Sequence, residues 1–182
     1  MARHNVVRKI KNRTTIILVM LLISIMVSWV IWGNLSVETT KLTVTSKDLP
    51  EAFDKFSIAH ISDLHNAEYG KNNEKLIDIL EAESPNIIAI TGDLIDSNHT
   101  NLEVALSFAQ QAVKIAPCYF VTGNHEAWIG SQYEELKTSL QNTGITVLQD
   151  EAIELNYGDV CICLLYTSDA ADDLTRVDLG GR

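Results

Sequence analysis

Cysteine is scarce in this sequence: Cys118, Cys161 and Cys163 are the only three, and none has the spacing of a zinc knuckle or a thiol redox pair. Thiolate-held metals and thiol chemistry are therefore excluded, and Cys118, inside the run Cys118-Tyr119-Phe120-Val121, reads as a small buried apolar residue. Acidic residues are missing from the first 37 positions, and all 24 lie from Glu38 onward. There they outnumber the nine remaining basic residues, which argues against nucleic acid as a partner.

Charge of either sign is also absent from Ile16 to Trp32, IILVMLLISIMVSWVIW, a run just long enough to cross a bilayer as a helix. Arg3, Arg8, Lys9, Lys11 and Arg13 precede it. The positive-inside rule then places the N-terminus in the cytoplasm and everything after the run outside the cell. A cleaved signal peptide is the rival reading. The apolar run is not followed by a small-x-small cleavage site, and Trp29, Trp32 and Asn34 occupy that region, so an uncleaved single-pass anchor is expected.

Three short polar clusters follow apolar, strand-like runs: Asp63-Leu64-His65, Gly92-Asp93-Leu94-Ile95-Asp96 and Gly123-Asn124-His125-Glu126. Asp63 and Asp93 are 30 residues apart, and Asp93 and Asn124 are 31 apart. A strand, crossover helix and parallel strand take roughly 30 residues, so the three clusters should meet at one edge of one sheet. Strands are expected at Phe56–Ser62, Asn86–Thr91, Cys118–Thr122, Ile145–Leu148, Ala152–Leu155 and Val160–Ile162, with a further connector strand at Lys41–Thr45. Helices are expected at Asn73–Glu83, with Leu76, Ile77 and Leu80 inward; after a Thr100/Glu103 capping box, with Leu102, Ala105, Leu106, Ala109 and Val113 in one stripe; and after Ser131/Glu134, with Tyr133, Leu136 and Leu140 inward.

Oxygen and imidazole donors without thiolate suit manganese, iron or zinc. Asp63 and His65, on the same side of the chain across Leu64, can chelate one ion. Asp93 can bridge two ions, and Asn124 offers an amide oxygen to the second. His125, at a sharp turn, can point either at the metal or at the substrate; in the second case it fits a general acid beside the leaving oxygen, with Glu126 or Asp63 orienting its ring. A water activated between two such ions would attack phosphorus. His60 reads as a packed or hydrogen-bonded strand residue, His99 as an exposed loop residue and Asp96 as a turn or supporting residue. Trp128 reads equally as packing or as the border of a substrate cleft.

Asp63-x-His65, Gly92-Asp93-x-x-Asp96 and Gly123-Asn124-His125-Glu126 resemble, in order, the first three motifs of the calcineurin-like metallophosphoesterases. The similarity covers about Phe53 to Val147, and the N-terminal apolar run and connector resemble the membrane-anchored bacterial branch. The resemblance implies an α/β fold, the N-terminal half of a layered metallophosphoesterase, preceded by one transmembrane helix. It implies that Asp63, His65 and Asp93 bind one metal, that Asp93 and Asn124 bind the other, and that His125 is the catalytic acid. The implied cofactors are two divalent ions, and the implied activity is hydrolysis of phosphomonoesters or phosphodiesters of a small molecule or lipid headgroup.

The family pattern continues with a further His and a Gly-His-x-His block, whereas His125 is the last histidine of this sequence. The reading is thus of a domain that is incomplete, with weak metal binding and slow turnover expected from these ligands alone. Cys163 to Arg182 resembles the translated read-through of a transposase-type sequencing adapter. The expected organisation is a basic cytoplasmic tail at 1–15, an anchor at 16–32, a connector at 33–54, a partial catalytic domain at 55–162 and a non-native tail at 163–182. A membrane-tethered, non-catalytic metal- or ligand-binding module on the same fold is the alternative, and no motif specifies an oligomeric state.

Overall fold

The computed structural model describes residues 2–47, 49–149, 152–157 and 160–165. Helix α1 (Ala2–Leu35) forms one compact unit with the residues up to Thr40, and residues from Lys41 onward form another. Within α1, Arg13–Gly33 is 21 residues long with a mean hydropathy of 2.6 and none of it buried. At 1.5 Å per residue this stretch is about 32 Å long, matching a hydrocarbon core of roughly 30 Å. The helix is long and apolar enough to span a membrane, and its apolar side chains surround it instead of forming a stripe.

The second unit contains β1 (Ile58–Ile61), α2 (Glu74–Glu83), β2 (Ile87–Thr91), α3 (Leu102–Ala112), β3 (Cys118–Val121), α4 (Asn124–Trp128), α5 (Gln132–Thr143) and β4 (Thr146–Leu148). A hairpin of β5 (Ala152–Tyr157) and β6 (Val160–Leu165) follows. Strands β1 to β4 form one parallel sheet in the order of the chain. Parallel crossovers are right-handed as a rule, and since all three step in the same direction this places α2, α3 and α5 on one face. They touch one another there, α2 against α3 and α3 against α5.

That face carries Ile88, Ile90, Cys118, Phe120 and Val147, all buried. Leu76, Ile77, Leu80, Ala105, Phe108, Ala109, Leu136 and Leu140 supply the buried helical side. The other face shows, in register, His60, Ala89, Tyr119 and Thr146. His60 and Thr146 are exposed there and Ala89 and Tyr119 half-buried, although parallel sheets are ordinarily covered on both sides.

Several sequence expectations need correction. The strand expected at Lys41–Thr45 does not form; Leu42 and Val44 are 86% and 75% exposed. Their alternation has a strand's period, but period alone supplies no neighbour for the backbone to pair with. The cap of α3 is Asn101, whose side chain accepts from Glu103 N at 3.1 Å. Thr100 instead donates to Asp96 O, so the expected capping box is displaced by one residue. Ser131 stands at the N-cap of α5 without a side-chain capping bond. Phe108 and Ala112 are buried in α3, while Leu102, Leu106 and Val113 are only half-buried. Helix α4 was not anticipated. Strand β6 runs through Leu165, three residues beyond the expected boundary at 162; residues 166–182, the rest of the expected foreign tail, lie outside the described residues.

Cys118 is buried as expected, with its thiol against Ala116 O at 3.3 Å, and burial pushes its pKa up to about 11 from 9.0. A thiol whose pKa is raised by folding stabilises the fold fully below the unfolded value and loses that contribution as pH rises through the folded one. Cys118 should therefore resist iodoacetamide in the native state, as read by mass spectrometry. The urea midpoint of the wild type should also fall more between pH 9 and 11 than that of Cys118→Ala, and equal slopes would contradict the assignment.

Candidate metal centre

The three motif clusters leave the C-terminal ends of β1, β2 and β3, the side of a parallel sheet where βα loops gather. Backbone pairing continues past the strands: Asp63 N donates to Gly92 O (3.2 Å), His65 N to Asp93 O (2.8 Å) and Asn66 N to Leu94 O (3.1 Å). Asp63, His65, Asn66 and Asp93 all have left-handed backbone, with φ of 55°, 46°, 57° and 52°. Such conformations cost about 1–3 kcal/mol each outside glycine and persist where surrounding bonds hold them.

The second and third loops touch through glycine. A Cβ on Gly92, whose φ is +90°, would lie 2.5 Å from Gly123 Cα, and one on Gly123 would collide with the backbone and carboxylate of Asp93. This close approach lets His125 N donate to Asp93 Oδ1 at 2.9 Å. It also lets the Glu126 carboxylate, fully buried, accept from Asp93 N (2.8 Å), Ile95 N (3.1 Å) and Gly123 N (2.8 Å). One anion thus satisfies three backbone donors from two loops.

Side chains of His65, Asp93 and His125 converge, with one potential ligand atom from each within 4.8 Å of the others. His65 Nε2 lies 3.9 Å from Asp93 Oδ2 and 3.7 Å from Asp63 Oδ1. The His65 and His125 rings meet edge-on with centroids 4.4 Å apart. Asp93 is buried, while Asp63 is exposed and hydrogen-bonded to Ser62 Oγ. Asn124, exposed, is the first residue of α4. Two histidine nitrogens and a carboxylate at this separation are a fitting donor set for a borderline divalent cation.

Neither carboxylate expected to orient His125 does so. Glu126 is consumed by the backbone and Asp63 sits beside His65. Asp96 takes the place instead, with Oδ1 3.5 Å from His125 Nδ1. Ser97 N donates to the same nitrogen at 3.0 Å, with Ser97 Oγ at 3.2 Å. A backbone N–H can only donate, so neutral His125 accepts at Nδ1 and carries its proton on Nε2. The N–H of Asn98 is the largest influence holding the Asp96 carboxyl below its ordinary value; the Asn98 side chain, His125 and His99 add to it against opposing desolvation.

Asn66 is a residue that sequence reasoning did not single out. Its Oδ1 accepts from Asp96 N (2.9 Å) and Asn101 N (3.1 Å), and its Nδ2 donates to Asn101 O (2.7 Å). It ties the loop after β1 to the loop that holds His125. Its position directly after His65 was visible, but its partners 30 and 35 residues away carried no signal. His60 bonds Thr91 Oγ1 at 2.6 Å on the open sheet face, outside the cluster, and His99 is exposed.

The sequence model of the family described as calcineurin-like phosphoesterase matches residues 56–177. The chain is 28% identical over 123 residues to the uncharacterized metallophosphoesterase YkoQ of Bacillus subtilis, covering 65% of this chain and 45% of that protein. It is 31% identical over 121 residues to an uncharacterized metallophosphoesterase of Aquifex aeolicus, covering 64% and 44%. It is 34% identical over 122 residues to the putative metallophosphoesterase F40B5.2 of Caenorhabditis elegans, covering 65% and 24%. In each case the matched stretch spans less than half of the relative's length.

Proposed function

Since the chain belongs to the calcineurin-like phosphoesterase family, we propose that it is a metal-dependent phosphoester hydrolase, acting on monoesters or diesters of small molecules or lipid headgroups. The convergence of His65, Asp93 and His125 at the ends of three successive strands is the observation that carries this reading. Asp63, His65 and Asp93 would hold one divalent ion, and Asp93 and Asn124 a second. Bound there, manganese, iron or zinc would supply positive charge that activates water and neutralises phosphoryl oxygens. Residues outside this sequence complete the ligand set in this proposal.

His125 acts on the substrate. Its Nε2 proton faces away from Ser97 N, which occupies Nδ1, so Nε2 is the atom that donates to the leaving oxygen. Ser97 N on Nδ1 and the Asp96 carboxylate 3.5 Å from it hold the ring in the orientation that presents Nε2–H. Glu126 fixes the backbone of Asp93 and Gly123, and Asn66 fixes the loop that presents Asp96 and Ser97. Helix α1 anchors the chain in a membrane with residues 16–32 in the bilayer, which its length and apolarity support, and with the catalytic region outside the cell, which the basic residues before the run support.

The role of His125 has a direct test. His125→Ala should retain bound metal, and it should slow esters of alkyl alcohols about 100-fold while slowing p-nitrophenyl esters far less, because good leaving groups need little protonation. Metal content and a leaving-group series are measured together. Loss of the metal, or equal loss across the series, would assign His125 to ligation instead.

A further inference from the structure

Among the residues outside α1 whose burial is described, Trp128 is the only exposed Phe, Tyr or Trp. It is 66% exposed, so it contributes little to the core, and no step assigned above uses it. Its ring centroid lies 5.1 Å from that of His125, at 43°. Both residues are on α4, where spacings of three and four residues put Trp128 on the same side as His125 and Asn124. The indole therefore borders the cluster on the side of the residue that donates to the leaving oxygen.

From this position we infer that Trp128 is a specificity-determining residue that receives the organic part of the leaving alcohol, and that this part is flat, apolar and free of negative charge. The inference rests on the phosphoesterase reading. Any group bonded to the oxygen at His125 must extend past that ring, and the adjacent indole offers a broad apolar face at small cost in side-chain freedom. The Asp96 carboxylate beside His125 repels an anionic extension such as a second phosphate, while an uncharged ring meets no such penalty.

Binding of phosphonates tests this independently of turnover, because their P–C bond resists hydrolysis and the carbon substituent stands in for the leaving alcohol. The full chain in saturated-lipid nanodiscs with Mn²⁺ is titrated calorimetrically with phenylphosphonate and with methylphosphonate. The wild type should bind the phenyl compound about tenfold more tightly, as expected for one aromatic stacking contact. Trp128→Ala should lose that preference while binding methylphosphonate as the wild type does, and Trp128→Phe should keep most of it. A preference that survives in Trp128→Ala, or an equal loss of both ligands there, would overturn the inference and leave the phosphoesterase reading standing. Failure of either phosphonate to bind the wild type would remove that reading and the inference with it.

Discussion

Asp93→Asn should remove specifically bound divalent metal and reduce phosphoester hydrolysis by about 10³-fold or more, since the substitution deletes the only carboxylate proposed to serve both ions. The exchange nearly preserves shape, and an amide oxygen can still accept from His125 N, which Asp93 Oδ1 accepts at 2.9 Å. The fold should therefore survive, which makes the loss interpretable as one of charge. Manganese stoichiometry by elemental analysis and hydrolysis of bis(p-nitrophenyl) phosphate are the readouts. Wild-type metal content together with wild-type activity would exclude Asp93 as a bridging ligand.

Glu126→Ala should have the largest effect on stability, about 3–5 kcal/mol, because three buried backbone N–H groups would lose a charged acceptor at once. Those donors belong to Asp93, Ile95 and Gly123, so the same change should dissolve the contact between the second and third loops. Urea unfolding monitored by circular dichroism measures it, with exposed Glu134→Ala as a control expected within about 0.5 kcal/mol of wild type. A loss near that of the control would mean that the loops are held by their glycine contact alone.

The contrast between these two residues shows what a sequence can disclose. The position of Asp93 was legible because an acidic residue at the end of an apolar run stands at the sheet edge, and regular spacing told which strands brought such residues together. The parallel pairing of β1, β2 and β3 followed from the same spacing. Glu126 stood in a recognisable motif, yet its role was misassigned to His125, because burial and backbone partners from distant loops leave no mark on local pattern. Ser97 and Asn66 escaped for the same reason: their work is hydrogen bonding across 28 to 35 residues of chain, whereas Asp96, read as a turn or supporting residue, does stand beside His125. The absent strand at Lys41–Thr45 is the opposite error, in which a correct local alternation had no partner. In α3 the stripe was read with Leu106 and Val113 inward, but the contact with both α2 and α5 turns the buried face toward Phe108 and Ala112.

The left-handed conformations at Asp63, His65 and Asp93 were equally invisible in sequence. They fall in the loops after β1 and β2, where Asp63 N and His65 N still pair with Gly92 O and Asp93 O. Backbone strain and the placement of the candidate ligands therefore coincide at this edge, where Glu126 holds Asp93 N and the bonds of Asp63 N and His65 N hold the first loop.

Hydrolysis of bis(p-nitrophenyl) phosphate by the chain extended with the residues that complete its ligand set, after removal of metal with a chelator and again after addition of Mn²⁺, tests the central claim most directly. The metal-depleted chain should be inactive, and added Mn²⁺ should produce turnover in the wild type but not in Asp93→Asn. Hydrolysis that persists after chelation, or stoichiometric Mn²⁺ binding at Asp93 with no turnover at all, would contradict it; the second result would identify a metal-binding module instead of an enzyme.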